Sequence, residues 1–569
     1  MAPPSIWKHL PVNIPVETEI ASSLEIHPLV ARLLVTRGIA SEAAARLFLR
    51  PHLDQLHDPL LMADVEVAVD RILLAVERRE RIAVHGDYDV DGVTATAIMY
   101  RIISLLGGDV IYYIPDRLSD GYGLNPKGVD RLKEDGSTLI VTVDCGIKSA
   151  AAAERAKTVG VDLIVTDHHQ PESTLPSALA VINPHRPDCG YPDKNLAGVG
   201  VAFKLIQALC ERTDHRHWLP AVLKLVALGT IADVVLLRGE NRVMVRLGLN
   251  EFAKGENSQG LQALIDSCSL AKKRIGSYEV GFLLAPRINA AGRMATPDIA
   301  VKLLLAMRKE DQNEAKNLAE ALARANTDRR REEADVFDAA IQLIKSERED
   351  QDSNILIVWG ANWHRGVIGI VASKLKEQFN RPAIVFSVEA ELAHGSARSI
   401  PGFNLLNAIE ECGNLLEQFG GHSQAAGVVI RSENLDKLRK RLSAVVDGQL
   451  TREQMSQSFE IDARLRLSDI SFSLMEELES LEPFGRGNAK PIFHVDSVKI
   501  VDGPYVLKDT HLRMTVSQDG CRFQAMAWRA ANRISEFRCG RSDLQLLVSL
   551  STNSYRGKTS IQLDIADIK

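Results

Sequence analysis

The stretch RIAVHGDYDVDGVTATAIMYRIISLL, residues 81–106, decides how the first lobe of the chain folds. An apolar run, RIAV, leads directly into His85, Asp87, Asp89 and Asp91, and apolar residues then recur at helical spacing. Carboxylates this close repel one another, so a strand that ends in them needs a compensating positive charge. The unit of strand, polar turn and helix then repeats. DVIYYIPD (109–116) precedes NPKGVDRLKEDG (125–136), STLIVTVDCG (137–146) precedes SAAAAERAKTVG (149–160), and VDLIVTDHHQ (161–170) precedes ALAVINPH (178–185). Near-continuous β-branched runs alternating with amphipathic helices predict a parallel sheet covered on both faces. The acidic residues fall at the C-terminal ends of the strands, where open α/β sheets hold ligands.

The remaining chain divides by texture. Residues 1 to about 75 read as an irregular leader with short helices, and 200–270 read as helical, with VAFKLIQALCERT and LPAVLKLVALGTIAD. A highly charged run from Glu310 keeps apolar residues at helical spacing, which predicts a long connecting helix with a solvated face. A second α/β unit starts at NILIVWG (354–360), and from about 456 short strands separated by Gly, Asn and Asp turns predict a small barrel, the OB-fold first among candidates.

Bulk composition bounds the answer. A chain of 569 residues, 45% hydrophobic and 25% charged, exceeds one core and predicts two to four domains. No apolar stretch is long enough to span a bilayer, and the start MAPPSIWKHLPVNIP lacks a basic region followed by an apolar core, so neither signal peptide nor membrane anchor is expected. Seven dispersed cysteines without a CxxC pair fit a reducing cytoplasm and neither a disulfide framework nor a zinc site. The net charge of −6 argues only weakly against a nucleic-acid partner, because a basic channel and bound cations can coexist with an acidic exterior.

The chemistry lies in a set of residues that each follow an apolar run: Asp87, Asp89 and Asp91; Asp144; Asp167, His168 and His169; and Asp233. A single aspartate after a strand is most often a helix N-cap. Four such groups at successive strand or helix ends are not explained by capping. Carboxylates and imidazoles without thiolates suit Mn²⁺ or Mg²⁺, and so many acidic groups suggest two ions. Paired ions activate a water and stabilise both ends of an in-line phosphoryl displacement. Asp167 has the alternative role of orienting a histidine.

These motifs resemble those of the DHH phosphoesterase superfamily, whose name matches Asp167-His168-His169. Further stretches, IPDRLSDGYGLN (114–125), NPHRPDCGYP (183–192), NLAGVGVAFKL (195–205), LAPRINAAGRM (284–294), WHRGVIGIVASKL (363–375), HGSARS (394–399), FGGHSQAAG (419–427) and PFGRGN (483–488), are similar to its bacterial single-strand-specific 5′→3′ exonucleases. The resemblance runs through nearly the whole chain in unbroken order. It implies a multidomain α/β protein: an N-terminal leader segment (1–75), a parallel-sheet DHH catalytic domain (76–300), a connecting helix (301–350), a DHH-associated substrate-binding α/β domain (351–455) and a C-terminal β-barrel of OB-fold type (456–569). It implies Asp89, Asp91, Asp144, His168 and Asp233 as ligands of two Mn²⁺ or Mg²⁺ ions, with Asp87 a further metal candidate, His85 in the same motif, and His169 on the scissile phosphate or in proton transfer.

For the substrate, the resemblance implies that Ser396 and Arg398 read a 5′-phosphate. Arg117 and Arg287 have the chemistry to bind phosphates, and Tyr122 that to stack a base. His422, after two glycines, faces ligand or core. Arg522, Phe523, Trp528, Tyr555 and Lys558 mix aromatic and basic groups as single-strand binders do, though such aromatics are more often half-buried barrel residues. Deleting residues from about 456 onward is expected to weaken strand binding while leaving hydrolysis of short oligonucleotides detectable. The products expected are nucleoside 5′-monophosphates in DNA repair and recombination, with a RecQ-type helicase and a single-strand-binding protein as implied partners. The competing expectations are a DHH phosphodiesterase for short oligonucleotides or cyclic dinucleotides, and a non-catalytic single-strand-binding scaffold. The first would lack the OB-like region, and the second would have lost some carboxylates that this chain retains.

Overall fold

The computed structural model describes residues 5–116, 121, 123–346, 353–451, 453–537, 540, 543–555 and 557–569. It divides into two compact units, one formed by residues 7–285, 301–315 and 460–569, the other by residues 1–6, 286–300 and 316–459.

In the first unit, β1 (Arg81–His85), β2 (Asp109–Tyr113), β3 (Ser137–Val143), β4 (Asp162–Thr166) and β5 (Ala180–Ile182) form one sheet. Their order is β2-β1-β3-β4-β5 and every pairing is parallel. The order reverses between β1 and β3, and the C-terminal ends of strands flanking such a point are where ligands bind in open α/β sheets. Ile82, Val84, Leu139, Ile140, Val141 and Val143 are fully buried, as strands covered on both faces require. The helices Val90–Leu105, Gly198–Arg212 and Leu219–Ala232 pack against one another beside this sheet and bring Asp91, the Gly198 turn and Asp233 to the same end.

In the second unit the helix Gln312–Ser346 delivers Val336, Ala340 and Ile344 into a core with Leu356 and Val358. The predicted connecting helix therefore has a buried face as well as a solvated one. Its sheet consists of β6 (Leu356–Ala361), β7 (Ala383–Glu389), β8 (Leu392–Arg398), β9 (Leu416–His422) and β10 (Ala425–Arg431), ordered β9-β10-β8-β7-β6. Only β6 and β7 run parallel.

The C-terminal part of the first unit is a closed five-strand barrel. Strands β11 (Phe493–Leu507), β12 (His511–Gln518), β13 (Cys521–Ala527), β14 (Leu544–Tyr555) and β15 (Lys558–Ile568) pair as β11-β12-β13-β15-β14, and β14 returns to β11. The leader carries the short helices expected of it, and they are packed together rather than irregular. Its helices Ile14–Leu24, Pro28–Thr36 and Glu42–Leu49 place Ile20, Val30, Leu33 and Leu34 in one core with the barrel residues Leu512, Val548 and Leu563. Trp7 Nε1 donates to Asp567 Oδ2 at 2.8 Å, tying the start of the chain to its end. The barrel is also fastened to the parallel-sheet lobe, since Leu237 N donates to the Arg486 carbonyl at 2.8 Å. Arg242 Nη1 donates to the Leu481 carbonyl at 2.9 Å.

Candidate metal centre and active site

The loop after β1 folds back because Asp89 caps the helix Val90–Leu105: its Oδ1 accepts from the backbone N–H of Asp91 at 2.9 Å and of Gly92 at 3.1 Å. The N-cap interpretation thus holds for one carboxylate oxygen of Asp89, and only for one. Asp91, on the first turn, is clamped by the start of a second helix, with Gly198 N donating to Oδ2 at 2.7 Å and Val199 N to Oδ1 at 2.9 Å. Asp144 follows β3 with a φ of 61°, a left-handed conformation that aspartate tolerates better than most residues. Asp233 ends the helix Leu219–Ala232.

His168 joins these groups. Its Nε2 stands 3.2 Å from Asp144 Oδ1, 3.7 Å from Asp233 Oδ2 and 4.0 Å from Asp91 Oδ2. The Leu196 backbone hydrogen-bonds the ring and fixes its orientation. Three sets of candidate ligand atoms lie within 4.8 Å of one another: Asp87, Asp89 and Asp144; Asp91, His168 and Asp233; and Asp144, His168 and His169. Six of the sequence-predicted residues and His169 are therefore brought to one place. His85 is not in these sets; it lies buried under the loop, with Nδ1 3.6 Å from Cys145 Sγ.

Asp167 points away from the cluster and organises it. Its Oδ1 accepts from the backbone N–H of His168 (2.7 Å) and His169 (3.1 Å) and lies 2.7 Å from His169 Nδ1, while Oδ2 accepts from Ile147 N at 2.9 Å. Burial opposes the charged forms of both Asp167 and His169. The hydrogen bond and charge each offers the other prevail, so the Asp167 carboxyl is held low and the His169 imidazole is raised.

The electrostatics of the cluster run the opposite way. Burial, followed by the charge of Asp89, pushes the Asp91 carboxyl up to about 7. Burial, then Asp91 and Asp89, push Asp233 up to about 9, with Arg486 opposing. Asp144 is driven well above the carboxylate range by burial and by Asp91, Asp89, Asp87 and Asp233. His168 is held down to about 4 by burial and by His169, so its ring is neutral near pH 7. Asp144 Oδ1 and Asp233 Oδ2 are buried and accept no hydrogen bond from any described residue. Carboxylates whose charge burial and mutual repulsion oppose, gathered with a neutral imidazole in one volume, fit divalent cations with oxygen and nitrogen ligands.

Comparison with known proteins places this site in a lineage. Residues 81–230 match the model of the DHH family, N-terminal domain, residues 352–448 the DHHA1 domain and residues 461–567 the RecJ OB domain. The chain is 39% identical over 551 residues to the single-stranded-DNA-specific exonuclease RecJ of Bacillus subtilis, covering 96% of this chain and 69% of that protein. It is 34% identical over 580 residues to the RecJ of Dickeya dadantii, covering 96% of each. The chain belongs to the RecJ family. Among solved structures, RecJ of Thermus thermophilus in complex with Mn²⁺ matches with a TM-score of 0.84 and 29% identity, covering 99% of this chain and 79% of that one. The Mg²⁺ complex of that protein matches at 0.77.

Other RecJ-type residues singled out in the sequence lie in the second unit. Arg398 Nη1 donates to Ser396 Oγ at 3.0 Å. A Cβ added to Gly369, on the helix Arg365–Phe379, would lie 2.9 Å from Ser396 Oγ and 3.0 Å from Arg398 Nη2, so both side chains rest on bare helix backbone. Across the sheet His422 pairs with Ala425 and Ala425 with Arg398, while Gly420 pairs with Gly427 and Gly427 with Ser396. His422, Arg398 and Ser396 thus share one sheet face, with glycines leaving it open. Arg287 is half-buried on the helix Ala285–Met294. Arg117 and Tyr122 fall outside the described residues. In the barrel, Trp528 is exposed with its Nε1 3.1 Å from Asp564 Oδ1, whereas Phe523 packs partly into the core.

Sequence reasoning missed Gly198. A Cβ there would meet Asp144 Oδ1 at 2.3 Å and Cγ at 2.6 Å, so only glycine lets this helix start donate to Asp91 while touching Asp144. The NLAGVG stretch that contains it was singled out by likeness alone, and its chemistry resides in backbone N–H groups, which have no residue signature.

Proposed function

We propose that this chain is a metal-dependent exonuclease that degrades single-stranded DNA from its 5′ end to nucleoside 5′-monophosphates in DNA repair and recombination. The observation that carries this is the convergence of Asp87, Asp89, Asp91, Asp144, His168 and Asp233 on one volume, where the buried Asp144 Oδ1 and Asp233 Oδ2 accept no hydrogen bond from any described residue. Asp89, Asp91, Asp144, His168 and Asp233 are assigned as ligands of two Mn²⁺ or Mg²⁺ ions, with Asp87 at their edge. When bound, these ions neutralise the phosphate charge and acidify a water for in-line attack.

The chain's own residues supply position and proton control. The Gly198 and Val199 N–H groups and the Leu196 backbone hold Asp91 and His168 rigid, so little reorganisation accompanies the reaction. His169, whose imidazole the Asp167 hydrogen bond and charge raise against burial, is placed to steady a non-bridging phosphate oxygen or protonate the leaving oxygen. We assign catalysis to residues 76–300, end recognition to 351–455, where Ser396 and Arg398 have the chemistry of a phosphate pocket, and strand binding to 456–569. No described helix is long and apolar enough to cross a membrane. A cytoplasmic location and partnership with a RecQ-type helicase and a single-strand-binding protein belong to this proposal on family grounds.

The test is end-labelled single- and double-stranded DNA incubated with Mn²⁺, Mg²⁺ or EDTA. Mononucleotides released from the 5′ end of single strands only, and only with metal, are expected. Metal-independent release, or equal digestion of duplex, would refute the assignment.

A further inference from the structure

Against the helix that ends at Asp233 packs a segment carrying a pair of aromatic rings that neither the core nor the mechanism uses. Tyr278 is 63% and Phe282 68% exposed, yet they stack on each other with centroids 5.0 Å apart and planes at 29°. They project from a short helix, Ser277–Glu279, that continues into a π-helical turn, Val280–Leu284. Val280 and Leu284 are fully buried beneath them and anchor the turn. Gly281 packs on the helix that ends at Asp233, since a Cβ there would lie 3.6 Å from Ile231 Cγ2.

The surroundings of Asp233 share this character. Val234, the next residue, is 61% exposed and adopts a φ of 59°, an unfavourable conformation for a β-branched side chain. Arg274 Nη1 and Nη2 pair with Glu479 (3.0 Å) and Glu482 (2.6 Å), tying the aromatic segment to the Pro483–Asn488 turn of the barrel side. That turn carries Arg486, exposed and without an ion pair among the described residues, and its charge is felt at Asp233. A strand crossing this rim meets two π faces and a cation, the combination that holds single-stranded nucleic acid without regard to sequence.

We propose that the Tyr278–Phe282 stack is a platform on which a nucleobase of the single strand rests beside the acidic cluster. This rests on the nuclease assignment above. The pair is held by buried neighbours on both sides in sequence, so it offers a preformed surface and loses little freedom on binding.

The test measures KM and kcat for dT15 cleavage in Mn²⁺, using the full chain and the double variant Tyr278→Ala/Phe282→Ala. The same strand with one abasic residue, walked through its first positions, is the second substrate. The double variant should raise KM about tenfold or more with kcat little changed. One abasic position should raise KM similarly for the unaltered protein and not for the double variant, and Tyr278→Phe/Phe282→Trp should restore the original KM. Unchanged KM in the double variant, or abasic penalties equal in both proteins at every position, would overturn the platform while leaving the nuclease assignment intact. A double variant that changes only its sedimentation behaviour would make the pair a protein interface and likewise overturn it. An unaltered chain that cuts no single strands would bring down both.

Discussion

Replacing Asp144 with Asn isolates the charge argument on which the metal centre depends. Asn also tolerates the left-handed backbone at this position, so the substitution changes charge with little effect on shape. The candidate ligand oxygens of Asp87, Asp89 and Asp144 lie within 4.8 Å of one another. At that distance each ionised pair costs about 3.5 kcal/mol at an effective dielectric constant of ~20. Two such pairs involve Asp144, and proton uptake and entering water reduce the relief to roughly 2–4 kcal/mol. In EDTA the variant should therefore melt higher than the unaltered protein, by roughly 4–8 °C at ~2 °C per kcal/mol. In Mn²⁺ at a hundredfold excess over its dissociation constant, the unaltered protein gains about 2.7 kcal/mol that the variant forfeits. The variant's lead should therefore shrink by about 2.7 kcal/mol between EDTA and Mn²⁺, as read by differential scanning fluorimetry, with cleavage lost in the variant. A variant no more stable than the original in EDTA, or stabilised equally by Mn²⁺, would refute the reasoning.

Four further outcomes are expected. Gly198→Ala should leave the circular dichroism spectrum unchanged, but by pushing Asp144 aside it should lower cleavage about 10–100-fold. Asp167→Asn sets an amide against the N–H groups of Ile147, His168 and His169, so cleavage should fall about 10–100-fold while equilibrium binding of single strands in EDTA changes little. Arg398→Ala should abolish any preference for 5′-phosphorylated over 5′-hydroxyl strands in competition assays; a preference that survives would remove the phosphate-pocket assignment. Arg486→Gln should reduce the slope of log affinity against log salt by about 0.7, one phosphate contact on a single strand, as measured by anisotropy titration.

The sequence disclosed more of the catalytic lobe than of the parts that frame it. Asp87, Asp144 and His168 were legible because side chains at strand ends sit at a predictable edge of a parallel sheet. Asp89 shows the limit of such logic, since it caps a helix through Oδ1 and also belongs to a candidate ligand set. Gly198 and Leu196 escaped notice because they act through backbone groups. The short helices of the leader were legible but their packing was not, because their apolar stripes are complemented by strands more than 400 positions away, and no local pattern names a distant partner. The same fact revises the truncation expected to separate strand binding from hydrolysis: ending the chain near 456 would also strip Ile20, Val30 and Leu34 of their core. The stacked aromatics were hidden in SYEVGFLLAPR, where periodicity does not reveal which ring stays outside.

The shared core of leader and barrel has a consequence for biogenesis. About 500 residues separate Leu49 from the final strand. A ribosome adding roughly 5–20 residues per second needs about half a minute to two minutes to make them. During that interval the first helices emerge with their apolar stripes uncovered, and they stay so until the strand Lys558–Ile568 has been made. Nicks in the leader helices or in the strand Lys558–Ile568 should therefore depress soluble yield in the same way, because both segments complete a single late-forming core.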